Sequence, residues 1–141
     1  MGVLSDVVVA SESEASSILH VAPGTRPWPW ADMKGIEPVK LGRLEAVFRG
    51  GPYDDRFVAA CALLASTEDH SVLVLRIPGA LTDYLARVEA AAATSLAKQW
   101  SEADEFARWQ LKDVERALVE LVRLARIART TERDLLLWMS L

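Results

Sequence analysis

Apolar positions recur along this chain with two periods, and each period predicts a different kind of element. Residues 3–10 are apolar and rich in β-branched side chains around Asp6, then give way to polar Ser11-Glu12-Ser13-Glu14, as a strand does at its end. Ser11 and Glu14 have the spacing of a capping box, in which the hydroxyl accepts from a free helix N–H and the carboxylate accepts from the cap's own N–H. A short helix to about residue 20 is expected from it. Pro23, Gly24, Pro27 and Pro29 oppose regular structure, because proline lacks an N–H and disfavours helix in the preceding residue, so residues 22–36 are read as a loop. Pro38 then suits a first helical turn, Val39, Leu41, Leu44, Val47 and Phe48 follow at helical spacing, and Gly50-Gly51-Pro52 stops the helix.

Asp54 and Asp55 suit the positive end of a third helix, with Phe57, Ala60, Cys61 and Leu64 on one face. Residues 71–77 form a nearly unbroken apolar run before Pro78-Gly79, the pattern of a strand covered on both faces. Leu81, Leu85, Val88, Ala92, Leu96 and Trp100 predict one helix over residues 80–100, its alanines at 90–93 permitting close helix packing. Ser101 and Asp104 repeat the capping spacing ahead of Phe106 and Trp109. A long helix is predicted over residues 111–129, with Leu111, Val114, Leu118, Leu121, Ala125 and Ala128 three or four apart. Its acids lie toward the start and its arginines toward the end, as the helix dipole favours. Residues 135–141 close the chain as a buried strand.

The fold class that follows is α+β: a small, mainly helical domain in which a short mixed sheet of about three strands is packed by four to six helices. Residues 72–77 or 135–141 are expected at the centre of the sheet. No repeat, low-complexity tract or linker divides the sequence, so residues 1–141 are read as a single globular domain.

Composition narrows the function classes. Apolar residues make up 51% and charged residues 26%, enough hydrophobic surface to offset chain entropy and to argue against intrinsic disorder. Sixteen basic and twenty acidic residues leave a formal charge of -4, which excludes a strongly basic nucleic-acid binder. The apolar run at 57–67 is far shorter than the roughly 20 residues a membrane-spanning helix needs, so no membrane association is expected. The first ten residues lack the Lys or Arg of a secretory leader, and Asp6 stands where the myristoylation pattern after Gly2 requires a hydroxyl. Cys61 is the only cysteine, so no intrachain disulfide forms and a cytoplasmic, reducing location is expected.

Trp28-Pro29-Trp30 would present two rigid aromatics at low entropic cost, with Arg26 and Asp32 as a polar rim, the character of a partner-binding hot spot. The competing reading folds both tryptophans back over the core, as large aromatics usually do. Trp100, Phe106 and Trp109 form a second aromatic group, read as helix packing rather than as a pocket, and as core if Trp138 joins them. Arg116, Arg123, Arg126, Arg129 and Arg133 concentrate positive charge near the last helix, which a solvated face explains without nucleic acid. Cys61 sits among alanines and leucine as an inert core thiol. Glu68-Asp69-His70 has metal-capable side chains but no HxxH, HExxH, CxxC or EF-hand spacing accompanies them, so no metal site is predicted. Gly50-Gly51-Pro52 lacks the lysine and hydroxyl of a phosphate loop, and no cofactor is predicted.

With no catalytic constellation, the leading expectation is a small cytoplasmic protein-interaction domain of adaptor, inhibitor or immunity type. Five tryptophans and the apolar seam of the last helix add homodimer formation to it. The alternative is an enzyme or small-molecule-binding protein whose site joins Asp69 and His70 to an arginine of the last helix.

Overall fold

Strand side chains alternate between faces, so in β1 (Leu4–Ala10) Ser5, Val7 and Val9 point one way and Asp6, Val8 and Ala10 the other. All six are buried, which requires a sheet covered on both sides. β5 (Asp134–Ser140) repeats the pattern, with Leu135, Leu137 and Met139 in one apolar cluster and Leu136 and Trp138 in another. The computed structural model of the protein, which describes residues 3–21 and 25–141, pairs these two strands side by side. Around them lie β2 (Trp30–Asp32), β3 (Leu63–Ser66) and β4 (Val72–Arg76), in the order β2-β1-β5-β4-β3. Every pairing is antiparallel.

One face carries the larger helical layer, formed by α2 (Pro38–Arg49), α3 (Arg56–Ala60), α4 (Gly79–Ala86), α5 (Ala90–Ser101) and α6 (Leu111–Thr130). α6 holds it to the sheet through Val114, Leu118, Leu121, Leu124, Ala125 and Ala128, all fully buried. Each buried leucine there contributes about 1.5–3 kcal/mol relative to exposure. The helix ends are made as their residues dictate. Glu37 accepts the N–H groups of Val39 and Lys40 at the start of α2, and Gly50 ends it at φ +73°, where glycine has no Cβ to clash. The other face is roofed by α1 (Ala15–Leu19), entered through a 3₁₀ turn over Glu12–Glu14, together with the segment leading into β2. The Ser11–Glu14 capping box forms as the spacing predicts.

The fold is therefore α+β, with six α-helices among the described residues, but its sheet differs from the expected short mixed one. It has five strands, not about three, and it is antiparallel throughout. Both additional strands are edge strands. β2 lies inside the predicted loop, because the backbone of residues 30–32, beyond the last proline, is free to pair with β1 at Asp6↔Asp32 and Val8↔Trp30. The Pro23-Gly24 part of that loop lies outside the described residues. β3 replaces the end of the predicted third helix: α3 stops at Ala60, and residues 63–66 pair with β4 across a tight turn, so sheet pairing overrides the local helical spacing. The predicted helix over 80–100 is two helices, separated at residues 87–89. Ser101 does not cap a following helix, since its hydroxyl donates to the Lys98 carbonyl, and the 3₁₀ turn Asp104–Phe106 begins only after Ala103. β5 takes the centre of the sheet, one of the two placements expected.

Candidate functional site

The segment before β2 folds onto the smaller face of the sheet. Trp28 and Trp30 are half-buried against the cluster of Val8, Ile18, Val74, Leu136 and Trp138, and the Trp28 Nε1–H donates to Glu14 at 2.7 Å. Arg26 lies beneath them, its side chain fully buried and ion-paired with Asp6. Its guanidinium sits 4.8 Å from the Trp138 ring centroid and 5.8 Å from that of Trp30. Burial raises the Asp6 carboxyl above its ordinary value, against the pull of Arg26. Asp32, at the end of β2, is exposed and accepts the Lys34 N–H at 2.9 Å. The four residues thus divide: Trp28 and Trp30 form a roof, Arg26 an internal strut and Asp32 a surface turn.

The second aromatic group packs between helices. Trp100 is fully buried, donates its Nε1–H to the Lys40 carbonyl and meets Phe106 edge-on at 5.0 Å, while Phe106 meets Trp109 in the same way at 5.0 Å. Trp138 belongs to the opposite face of the sheet and does not join them.

Three of the four arginines of α6 are engaged individually, Arg116 being the exception among the described residues. Arg123 pairs with Glu120, Arg126 donates to the Val88 carbonyl, and Arg129 bridges Asp83 and Asp134. Cys61 is buried, its thiol pushed up to about 11 by desolvation, a state without nucleophilic character at neutral pH.

Asp69 and His70 occupy the tight turn between β3 and β4. The Asp69 carboxylate accepts from the hydroxyls of Thr67 and Ser71 and from the Ser71 N–H, which hold it down at about 2, far from the range of a general base. His70 adopts φ +56° and its Nδ1 lies 3.2 Å from the Ser66 hydroxyl. Among the described residues, no arginine of α6 makes a hydrogen bond or ion pair with this turn.

The surface that stands out is one the sequence reading passed over. Residues 90–97 of α5 carry no charge, and Ala90, Ala91, Ala92, Thr94 and Ser95 face solvent rather than another helix. On one side of this ridge is a groove of about 460 Å³, lined by Val88, Ala90, Ala93, Val119 and Val122, with Val119 55% exposed. On the other side a depression of about 350 Å³ is lined by Phe48, Tyr84, Val88, Ala92 and Leu96, the Phe48 and Tyr84 rings stacked at 5.2 Å. Arg87, Glu89, Arg123 and Arg126 stand around the rims. No family model, curated protein or solved structure matches the chain. The signal that would have found it is the eight-residue run without charge at the start of a helix, which was read as internal packing.

Proposed function

We propose that the chain is a non-catalytic, cytoplasmic protein-interaction domain whose docking surface is the outer ridge of α5 with the grooves on either side. One observation carries the reading: two apolar hollows share a ridge of small, uncharged side chains, and the charges stand only at the edges. That is the layout of an interface core within a polar rim. Small ridge residues allow a partner's backbone to approach closely, while Val119 and Leu96 offer purchase on each flank. Arg123 is already paired with Glu120, but the rim cations Arg87 and Arg126 still outnumber Glu89, so the partner that fits is an amphipathic helix with acidic residues bordering its apolar stripe. The lone thiol of Cys61, buried and unreactive, suits the reducing compartment assumed.

The test uses Ala91→Arg and Val119→Asp, substitutions at exposed positions that change stability by less than about 0.5 kcal/mol each. The wild-type chain is expected to retain a stoichiometric protein from lysate of its host. Both variants are expected to lose it, while Lys112→Ala, away from the ridge, keeps it. Retention of the same protein by all three variants would refute the assignment. Light scattering on the purified chain identifies the case in which the partner is a second copy, through a dimer that Val119→Asp dissociates.

A further inference from the structure

A second hollow, of about 420 Å³, lies between the segment after β2 and the first half of α6, away from the α5 ridge. Its floor is apolar: Met33, Ile36 and Ala117 are buried, and Trp109 stands half-buried beside them. Its walls are held in place from several directions. The Met33 N–H donates to the Ser5 carbonyl at 2.8 Å and the Gly35 N–H to that of Val3 at 3.1 Å. Buried Ser5 sets its Oγ 2.7 and 2.6 Å from the carbonyl oxygens of Met33 and Ile36, its single proton serving one at a time. Lys40 Nζ donates to the Gly35 carbonyl at 2.8 Å. Gly35 adopts φ +85°, and a Cβ built there would lie 2.9 Å from the Trp109 ring, so loop and indole are fitted to one another.

The charges around this hollow are unevenly spent. Among the described residues Lys34, Arg108 and Arg116 make no hydrogen bond or ion pair through their side chains, whereas Arg43, Arg49, Arg56, Arg76, Arg123 and Arg129 each hold a carboxylate. Of the three acids at the rim, Asp32 accepts the Lys34 N–H and Glu120 pairs with Arg123, leaving Asp113 unengaged. Three cations without a carboxylate partner thus face two carboxylates without a cation partner, Asp32 and Asp113, an excess of one positive charge over a preformed apolar floor. Such a layout favours a ligand that brings its own negative charge at one end and an apolar body at the other.

We propose that this hollow binds a small organic oxyanion, its carboxylate or phosphate held by Arg108, Arg116 and Lys34 and its flat apolar part against Trp109 and Met33. The probes are benzoate, phenyl phosphate and inorganic phosphate, titrated at constant ionic strength and followed by amide and indole N–H shifts in the NMR spectrum. At least one aromatic probe is expected to give saturable shifts confined to residues 32–36 and 108–117, with a Kd of about 1 mM or tighter. Preference for phenyl phosphate assigns a phosphate ligand, and preference for benzoate a carboxylate. Arg108→Gln with Arg116→Gln weakens binding at least tenfold while Lys98→Gln, on the exposed face of α5, leaves it unchanged, both with wild-type melting points. Shifts that stay linear or scatter over the surface would overturn the proposal. So would unchanged affinity in the double variant, or inorganic phosphate binding as tightly as phenyl phosphate, since the aromatic floor would then add nothing.

Discussion

Removing Asp6 alone should damage this protein more than removing both Asp6 and its partner. Arg26 is fully buried and, among the described residues, its Nε and Nη2 have no hydrogen-bond partner, so Asp6 is its principal compensation. An arginine cannot shed its proton to escape burial. Asp6→Leu therefore leaves an uncompensated cation inside the smaller core, at a cost of about 3–5 kcal/mol. That is a large part of the roughly 5–15 kcal/mol a domain possesses. The melting point should fall by roughly 10–15 °C for a chain of this size. Arg26→Met should cost less, about 1–3 kcal/mol, because the abandoned Asp6 can take up a proton, as its raised pKa already favours. The double variant Asp6→Leu, Arg26→Met should return to within about 1 kcal/mol of the wild type, since methionine packs well against the ring of Trp138. Urea unfolding at neutral pH, followed by far-ultraviolet circular dichroism, measures all four corners of the cycle. A raised folded-state pKa also sets a sign: ionised Asp6 opposes folding progressively as pH rises from its ordinary value of 3.8 through the folded one, a trend both leucine variants abolish. A loss under about 1 kcal/mol for Asp6→Leu, or a double variant whose loss equals the sum of the singles, would refute the reasoning.

Trp100→Ala should cost about 3–5 kcal/mol by emptying a fully buried site, whereas Trp28→Ala should cost about 1–2 kcal/mol because its ring only roofs the sheet; denaturant midpoints separate them. Gly35→Ala should lose about 1–3 kcal/mol, since it forces a Cβ into left-handed backbone and against Trp109, and thermal melting should show it. Asp54 and Asp69 are held at about 2 in the folded chain by hydrogen bonds, below their ordinary 3.8. Their contribution is present above pH 3.8 and lost as pH falls toward 2, so Asp69→Asn should flatten the drop in melting point across that interval.

Where the sequence was legible, local chemistry and burial agreed. The β-branched run in residues 4–10, the Ser11–Glu14 cap, Pro38 with Gly50 bounding α2, and the apolar stripe of α6 each specify their element without reference to distant residues. The edge strands were hidden because their pairing is tertiary. Residues 63–66 carry the helix-compatible Leu-Leu-Ala-Ser, and only β4, folding back across the Thr67–Ser71 turn, extends them. Residues 30–32 follow a proline cluster whose constraint ends at Pro29, whose carbonyl already accepts the Val9 N–H. The tryptophans of residues 28 and 30 were recognisable as a unit, but not that Arg26 would pass beneath them. A buried arginine depends on a carboxylate twenty positions away, at Asp6, which no local pattern reveals. The alanines of α5 suggest close packing in the sequence, because composition alone does not tell which side of an amphipathic helix faces out.

Site-specific photocrosslinking in living host cells tests the proposed docking surface most directly. A photoreactive phenylalanine analogue would be placed in turn at positions 91, 119, 28, 68 and 112, all but 28 exposed. The account predicts one discrete protein adduct from positions 91 and 119 and none from positions 28, 68 and 112. Adducts from position 28 in the tryptophan segment, with none from the α5 ridge, would contradict it.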